Sequence, residues 1–187
     1  RDDPALLLLL PQETLALDWR YLASSAVGVF ASLDFTLPAW LYRLWYAALA
    51  AAAGRLMAAP DGPRVAALEV GGWDTHAAQA QRLQGPLRGL DAGLAALKDG
   101  LGGAWAQTAV LVMTEFGRTA RVNGTGGTDH GTAGVAFVLG GAVAGGRVLG
   151  AWPGLAADKL HEGRDLAPTT DLRTVAAGLL TDHLGVP

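Results

Sequence analysis

The length, composition and charge of this chain exclude several classes of protein. Its 187 residues suffice for a domain with a sizeable core, and 51% hydrophobic against 17% charged residues exclude a disordered chain. A net charge of −3 gives no case for nucleic-acid binding, and the absence of cysteine excludes disulfides, thiolate metal sites and a cysteine nucleophile. We therefore expect a single domain over residues 1–187.

The beginning of the chain carries little structural signal. Residues 1–36 lack a clean hydrophobic period, and we expect a poorly defined helical lead-in. The apolar run Leu6 to Leu10 stops at Pro11 and is too short for the core of a signal peptide. Ser24 and Ser25 lie among alanine, valine and phenylalanine, which favours helix packing over a nucleophilic role.

A helix is predicted after this lead-in. Thr36 can cap it, and apolar residues recur at helical spacing from Leu41 to Leu56. The uncharged run Leu44 to Gly54 is shorter than the roughly 20 apolar residues of a membrane span, so we expect a buried helix and no span. The proline- and glycine-containing turn Ala59 to Pro63 ends this helix.

Two strands and a long helix follow. Arg64 to Val70 and Ala109 to Met113 are short apolar runs, and the second lacks alternation, which predicts burial on both faces. Between them, leucines three and four residues apart predict a helix that runs to about Leu101, with a kink near Pro86.

The last third of the chain predicts more strand and a final helix. Gly134 to Leu139 should form a strand, with a hairpin-like connection to Arg147–Gly150. Thr169 or Thr170 would cap the last helix, which Gly185 ends. This order predicts an α/β fold with a mainly parallel sheet flanked by helices, in which ligands bind beyond the carboxyl ends of the strands.

Polar clusters follow the first and second of the predicted strands. Asp74 and His76 lie in Gly71–His76, and Asp129 and His130 end the segment Thr114–His130. Since both clusters follow strand ends, we expect one shared site.

Asp74 and His76 are candidate ligands of a divalent metal ion. Residues two apart on an extended segment point to the same face. Carboxylate oxygen with imidazole nitrogen suits zinc, manganese or iron better than calcium. The alternative is that Asp74 or Thr75 caps the following helix.

Asp129 and His130 are further candidate ligands, because a glycine-rich loop can turn both toward one centre. The alternative is a loop turn in which Asp129 satisfies backbone donors. Neither His161, in a predicted loop, nor His183, on the last helix, is expected to take part.

Glu115 and Arg118 are candidate catalytic residues, and Glu115 is also a candidate ligand. A carboxylate directly after an apolar strand needs a metal ion, an arginine or water. Arg118 could pair with it, or could bind a substrate anion bidentately. Together the clusters suggest a metal-assisted hydrolase or transferase acting on a phosphoryl or sulfuryl group.

The motifs resemble one protein family. They are GGWDTH (71–76), TEFGRT (114–119) followed by Asn123, GTDHGT (127–132), FVLGGAVAGG (137–146) and TDLRTVAAGLLTDHLGV (170–186). Over roughly residues 40–187 this series resembles the domain of unknown function 1501 family, and through it the alkaline phosphatase and sulfatase superfamily.

The resemblance implies a divalent metal, zinc or manganese above all, bound by Asp74, His76 and His130, with Glu115 and Asp129 as further carboxylates. It implies an alkaline-phosphatase-like fold, a small anionic ester substrate and a periplasmic or envelope location. Related phosphatases have Asp-His where this chain has Glu115-Phe116, so one imidazole is missing.

The resemblance also implies that the chain is a C-terminal half. The first metal-binding aspartate and the nucleophile of related proteins lie in an N-terminal half, which would be a partner here, and the chain has no evident nucleophile. The competing expectation is a non-catalytic envelope or interaction protein that retains the fold.

Overall fold

A computed structural model describes residues 5–10 and 39–187 of the chain. The main helices are α1 (Ala39–Ala58), α2 (Gln79–Arg82), α3 (Gln84–Leu101) and α4 (Leu172–Gly178). The strands are β1 (Ala5–Leu10), β2 (Val65–Glu69), β3 (Thr108–Val112), β4 (Gly117–Arg118), β5 (His130–Gly131) and β6 (Phe137–Leu139). Short 3-10 helices cover Gly102–Gln107 and Ala157–Lys159, and a π-helical turn covers Leu179–His183.

Four short strands form a mixed sheet in the order β2-β1-β3-β6. The strand β1 is parallel to both neighbours, with Leu8 opposite Ala67 on one side and Leu111 on the other. At the edge, β6 runs antiparallel to β3 and places Val138 opposite Leu111. The run Leu6 to Leu10 is therefore an inner strand of the sheet.

The core lies between this sheet and two helices. Tyr46, Ala50, Ala53 and Met57 of α1 are buried together with Leu97 and Leu101 of α3 and with Ala66, Leu68 and Val110 of the strands. The backbones of α1 and α3 approach closely at Gly100, where an added Cβ atom would lie only 2.6 Å from the carbonyl oxygen of Ala51. Strands β2 and β3 therefore pack into the core, and the polar segments follow directly after them.

The prediction of an alkaline-phosphatase-like α/β fold with a mainly parallel sheet flanked by helices is wrong. The chain is 41% helical, and no extended parallel sheet is formed by the described residues. The strands are two to six residues long, and β4 and β5 form a separate two-stranded antiparallel pair. The physical reason lies after β3, where glycine-rich polar segments form turns instead of further strand-helix-strand units.

Several individual elements match their predictions, and others do not. The strands over 65–69, 108–112 and 137–139 confirm three predicted strands. Instead of a kink at Pro86, the long helix is broken at Leu83, and Pro86 lies in the first turn of α3. Among residues 39–187, no strand follows Leu139, so the predicted strand Arg147–Gly150 is wrong.

The final helix is capped by a different residue from those predicted. The Asp171 side chain, not that of Thr169 or Thr170, accepts a hydrogen bond from the backbone N–H of Arg173. The predicted stop at Gly185 is confirmed by its φ of 68°, in the left-handed region that favours glycine. The predicted cap Thr36 and the serines Ser24 and Ser25 lie outside the described residues.

None of the helices that the structure describes is long and apolar enough to cross a membrane.

Candidate metal centre

Asp74 and His76 lie on an extended segment directly after β2. Burial alternates along it, so that Trp73 is half-buried and Thr75 buried while Asp74 and His76 are exposed. Both candidate ligands therefore point to the same side, as their spacing predicts. The capping alternative is excluded, because Ala78 occupies the N-cap position of α2 and no side chain caps it.

A second segment is hydrogen-bonded along this one. The backbone N–H groups of Ala78 and Thr128 donate to the carbonyl oxygens of Thr125 and Thr75, at 3.0 and 3.3 Å. Gly127 lies so close to His76 that a Cβ atom would overlap the His76 carbonyl group. These contacts place the Asp129–His130 pair beside Asp74 and His76.

The antiparallel pair β4–β5 places Arg118 and His130 side by side, next to Asp74. The two residues are directly opposite each other in the register. Cross-strand partners of this kind point to one face of the pair. Two-residue strands have no periodic sequence signal, which is why sequence reasoning did not find this hairpin.

Three side chains converge on one oxygen atom, Asp74 Oδ1. His76 Nε2 and His130 Nε2 each lie 2.9 Å from it, and Arg118 Nη2 lies 2.7 Å from it. One ligand atom from each of Asp74, His76 and His130 lies within 4.8 Å of the other two, close enough to hold one metal ion. The predicted juxtaposition of the two polar clusters is thus present in the structure.

The three candidate ligands are open to solvent. The exposed fractions of the Asp74, His76 and His130 side chains are 54%, 48% and 54%. Partial burial raises the pKa of Asp74, but its hydrogen bonds with His130 and Arg118 and its electrostatic interactions with His76 and Arg118 outweigh this effect and lower the pKa overall. The carboxylate form is therefore favoured, as a metal ligand requires.

Arg118 connects the two polar segments, because its guanidinium donates hydrogen bonds to acceptors in both of them. Its Nη1 donates to the Thr128 carbonyl at 2.7 Å, and its Nη2 donates to the Trp73 carbonyl at 2.8 Å as well as to Asp74. It does not pair with Glu115, so that alternative is wrong. Its binding of a substrate anion stays a prediction.

Phe116 and the two histidines form an aromatic stack. The Phe116 and His130 rings lie 4.7 Å apart at 10°, and the His130 and His76 rings lie 4.9 Å apart at 26°. The guanidinium of Arg118 lies 4.5 Å from the centroid of Phe116. Phe116 therefore orients His130 by stacking and offers no ligand atom of its own.

Asp129 is not one of the three converging residues. Its Oδ1 lies 3.1 Å from His76 Nδ1 and accepts a hydrogen bond from Asn123 Nδ2 at 3.0 Å. The hydrogen bond from Asn123 lowers the pKa of Asp129 most, and that from His76 adds to it. The structure thus puts Asp129 behind His76, on the ring nitrogen that faces away from Asp74.

Glu115 also lies apart from the three converging residues. Its Oε2 accepts a hydrogen bond from the Thr114 hydroxyl at 3.2 Å. It is close to Glu69 at the end of β2, whose pKa is raised by burial and by the charge of Glu115. Sequence reasoning missed Glu69, although it shares the signal used for Glu115, a carboxylate at the end of an apolar strand.

The family comparison covers the whole of this centre. The model of a family described as "Protein of unknown function (DUF1501)" matches residues 46–186. The chain belongs to the DUF1501 family. The matched span contains every residue of the DUF1501 centre described above, from Glu69 to His130. Neither the curated proteins nor the solved structures contain a match to the chain.

Proposed function

We propose that this DUF1501 protein binds one divalent metal ion through Asp74, His76 and His130 and belongs to a metal-dependent hydrolase acting on small phosphate or sulfate esters. The observation that carries the proposal is the convergence of two imidazole nitrogens on one carboxylate oxygen, each at 2.9 Å.

Hydrogen-bond chemistry explains why this convergence calls for a cation. An ionised carboxylate only accepts hydrogen bonds, so a neutral His76 can donate to Asp129 through Nδ1 or to Asp74 through Nε2, but not to both. In the tautomer that carries the proton on Nδ1, the lone pair of His76 Nε2 faces the lone pairs of Asp74 Oδ1. The two lone pairs repel each other unless a proton or a metal ion lies between the two atoms.

The donor set fits zinc, and manganese next. Zinc takes imidazole nitrogen at about 2.0–2.1 Å and carboxylate oxygen at about 2.0–2.2 Å, usually in tetrahedral geometry. Catalytic zinc sites have three protein ligands and keep a further position open for water or substrate. Asp74, His76 and His130 supply three ligands, and their exposed side chains leave the remaining side accessible.

Hydrolysis is favoured by this open position. A divalent ion bound here would lower the pKa of a bound water and offset charge on a phosphoryl or sulfuryl oxygen. The chain's own contribution is to hold the ligands, with Arg118 fixing Asp74 and Phe116 fixing the ring of His130. An anionic ester suits a centre that carries a bound cation.

Metal binding tests the first part of the proposal. Chelator-treated protein is titrated with Zn²⁺ and Mn²⁺, and bound metal is counted by elemental analysis. We expect one ion per chain, lost in Asp74→Ala and His130→Ala but retained in the exposed controls Asp158→Ala and His161→Ala. Absence of stoichiometric metal under both loading conditions would overturn the proposal.

A non-catalytic binding protein is the second candidate, and one observation favours it. Within residues 39–187, no threonine hydroxyl hydrogen-bonds to any of the three ligand atoms, and those of Thr125 and Thr128 donate to His76 O and Gln79 Oε1. A nucleophilic side chain beside the ion is thus not evident in that part of the chain. Metal-dependent turnover of aryl phosphate or aryl sulfate esters, abolished by His130→Ala, would exclude this candidate.

A further inference from the structure

Asp129 and Asn123 lie outside the three ligands, yet both contact His76. Asp129 Oδ1 lies 3.1 Å from His76 Nδ1, the ring nitrogen opposite the one that faces Asp74. Asn123 Nδ2 donates both to that same Oδ1, at 3.0 Å, and to the backbone carbonyl of His76, at 2.9 Å. One amide group thus holds the carboxylate and the histidine at a fixed separation.

The orientation of the Asn123 amide is fixed by its other atom. Asn123 Oδ1 accepts hydrogen bonds from the backbone N–H groups of Thr125 and Gly127, both at 3.0 Å. Since backbone N–H groups only donate, the oxygen must face them and the NH₂ group must face Asp129 and His76. The loop 123–127 is therefore folded around this side chain in a way that aims Asp129 at His76.

We propose that Asp129, aimed by Asn123, is a positioning residue that keeps the proton of His76 on Nδ1 and leaves Nε2 bare as the metal-binding atom. The inference rests on the metal site proposed above. Histidine ligands whose second nitrogen donates to a carboxylate are fixed in one tautomer and bind metal more strongly. Without Asp129, the proton can move to Nε2 and form a hydrogen bond to Asp74 Oδ1, so that a metal ion must first displace it.

The tautomer of His76 is the decisive measurement, because a merely structural role for Asp129 would not change it. Long-range ¹H–¹⁵N correlation spectra of chelator-treated full chain, at a pH where the imidazole is neutral, distinguish the two tautomers. The His76 signal is assigned from its loss in His76→Ala. We expect the Nδ1-protonated form in the unsubstituted protein and a shift toward the Nε2-protonated form in Asp129→Ala. An Nε2-protonated His76 in the unsubstituted protein would overturn the inference without the need for any variant.

Metal affinity provides the second measurement, with Zn²⁺ competed against a chromophoric chelator. We expect Asp129→Ala to weaken binding roughly 10- to 100-fold, the usual effect of removing such a partner. The near-isosteric Asp129→Asn should weaken it less and serves where the alanine variant folds poorly. Asp158→Asn removes one negative charge from an exposed carboxylate with a 3.4 Å contact to Lys159, and it should leave the affinity unchanged.

The outcomes separate this inference from the proposed function. No metal binding by the unsubstituted protein refutes the metal site itself. Binding that is lost in His76→Ala but unchanged in both Asp129 variants keeps the metal site and refutes the role of Asp129. If Asn123 acts through Asp129, Asn123→Ala should weaken binding in the unsubstituted background but add nothing in Asp129→Ala, and full additivity would refute that link.

Discussion

Replacement of Arg118 by alanine should destabilise the protein strongly, because this side chain joins three separate segments. Its guanidinium donates to the carbonyls of Trp73 and Thr128 and to Asp74 Oδ1, all within 2.8 Å. Only 19% of the side chain is exposed. Truncation would remove all three hydrogen bonds and the contact with Phe116 at once.

The expected loss is about 3 to 5 kcal/mol, which is less than the sum of the separate contributions because interactions made by one side chain are not additive. Each hydrogen bond from a charged donor contributes about 1.5–3 kcal/mol, and the cation–π contact about 0.5–1 kcal/mol. We take the low end for the bond to Asp74, because that carboxylate is 54% exposed and solvent screens the ion pair. For a chain of this size, each kcal/mol lowers the melting temperature by about 2–4 °C, so the melting temperature should fall by roughly 6–20 °C.

Chemical denaturation of metal-free protein, followed by circular dichroism, measures this loss. Arg121→Ala is the matched control, because Arg121 is an exposed arginine of the same segment. We expect the control to change the unfolding free energy by less than about 0.5 kcal/mol. The reasoning is refuted if Arg118→Ala is as stable as the control. In that case Arg118 would be free to bind a substrate anion, as the sequence suggested.

Three further substitutions have defined outcomes. Glu69→Gln should stabilise the protein by on the order of 1 kcal/mol at neutral pH, because it removes a charge from a partly buried site. Since the folded-state pKa of Glu69 is raised, this stabilisation should be absent below pH 4.5 and should increase as pH rises. Chemical denaturation at several pH values measures it. Asp171→Ala should lower the melting temperature above pH 3.8, and because the folded-state pKa of Asp171 is lowered to about 2, the difference should disappear as pH falls through that value. Gly127→Ala should lower the free energy of unfolding by about 3 kcal/mol and also weaken Zn²⁺ binding, because the added Cβ atom would overlap the backbone of His76. Gly124→Ala is the control, since a Cβ atom there would meet nothing within 4 Å, and it should leave the melting temperature and the affinity unchanged.

Part of the candidate ligand group was predictable from the sequence because its signal is local. Asp74 and His76 are two residues apart on an extended segment, which fixes their common face whatever the surrounding fold. That His130 joins them followed from the expectation that both polar clusters lie beyond strand ends. The expectation was right about their proximity although the sheet is smaller and more mixed than predicted.

What the sequence did not predict has different causes at different residues. The run Leu6 to Leu10 is uniformly apolar, so no period distinguishes a strand from other buried structure. Asn123 acquires its role only when its loop folds against His76, and Asn123 to His76 spans 47 residues. Asp171 was missed as a cap because the neighbouring Thr169 and Thr170 are also good capping residues.

Phe116 indicates how many metal ions this centre can hold. A second ion beside the first would need further ligands on the His130 side, where Phe116 stacks on that ring at 4.7 Å and Arg118 lies over Phe116 at 4.5 Å. The phenyl ring supplies no ligand atom in that direction. Glu115, a candidate ligand from the sequence, is not among the three converging residues. The proposed site would therefore hold one ion with three protein ligands and an open side, the arrangement that distinguishes catalytic zinc sites from closed structural ones.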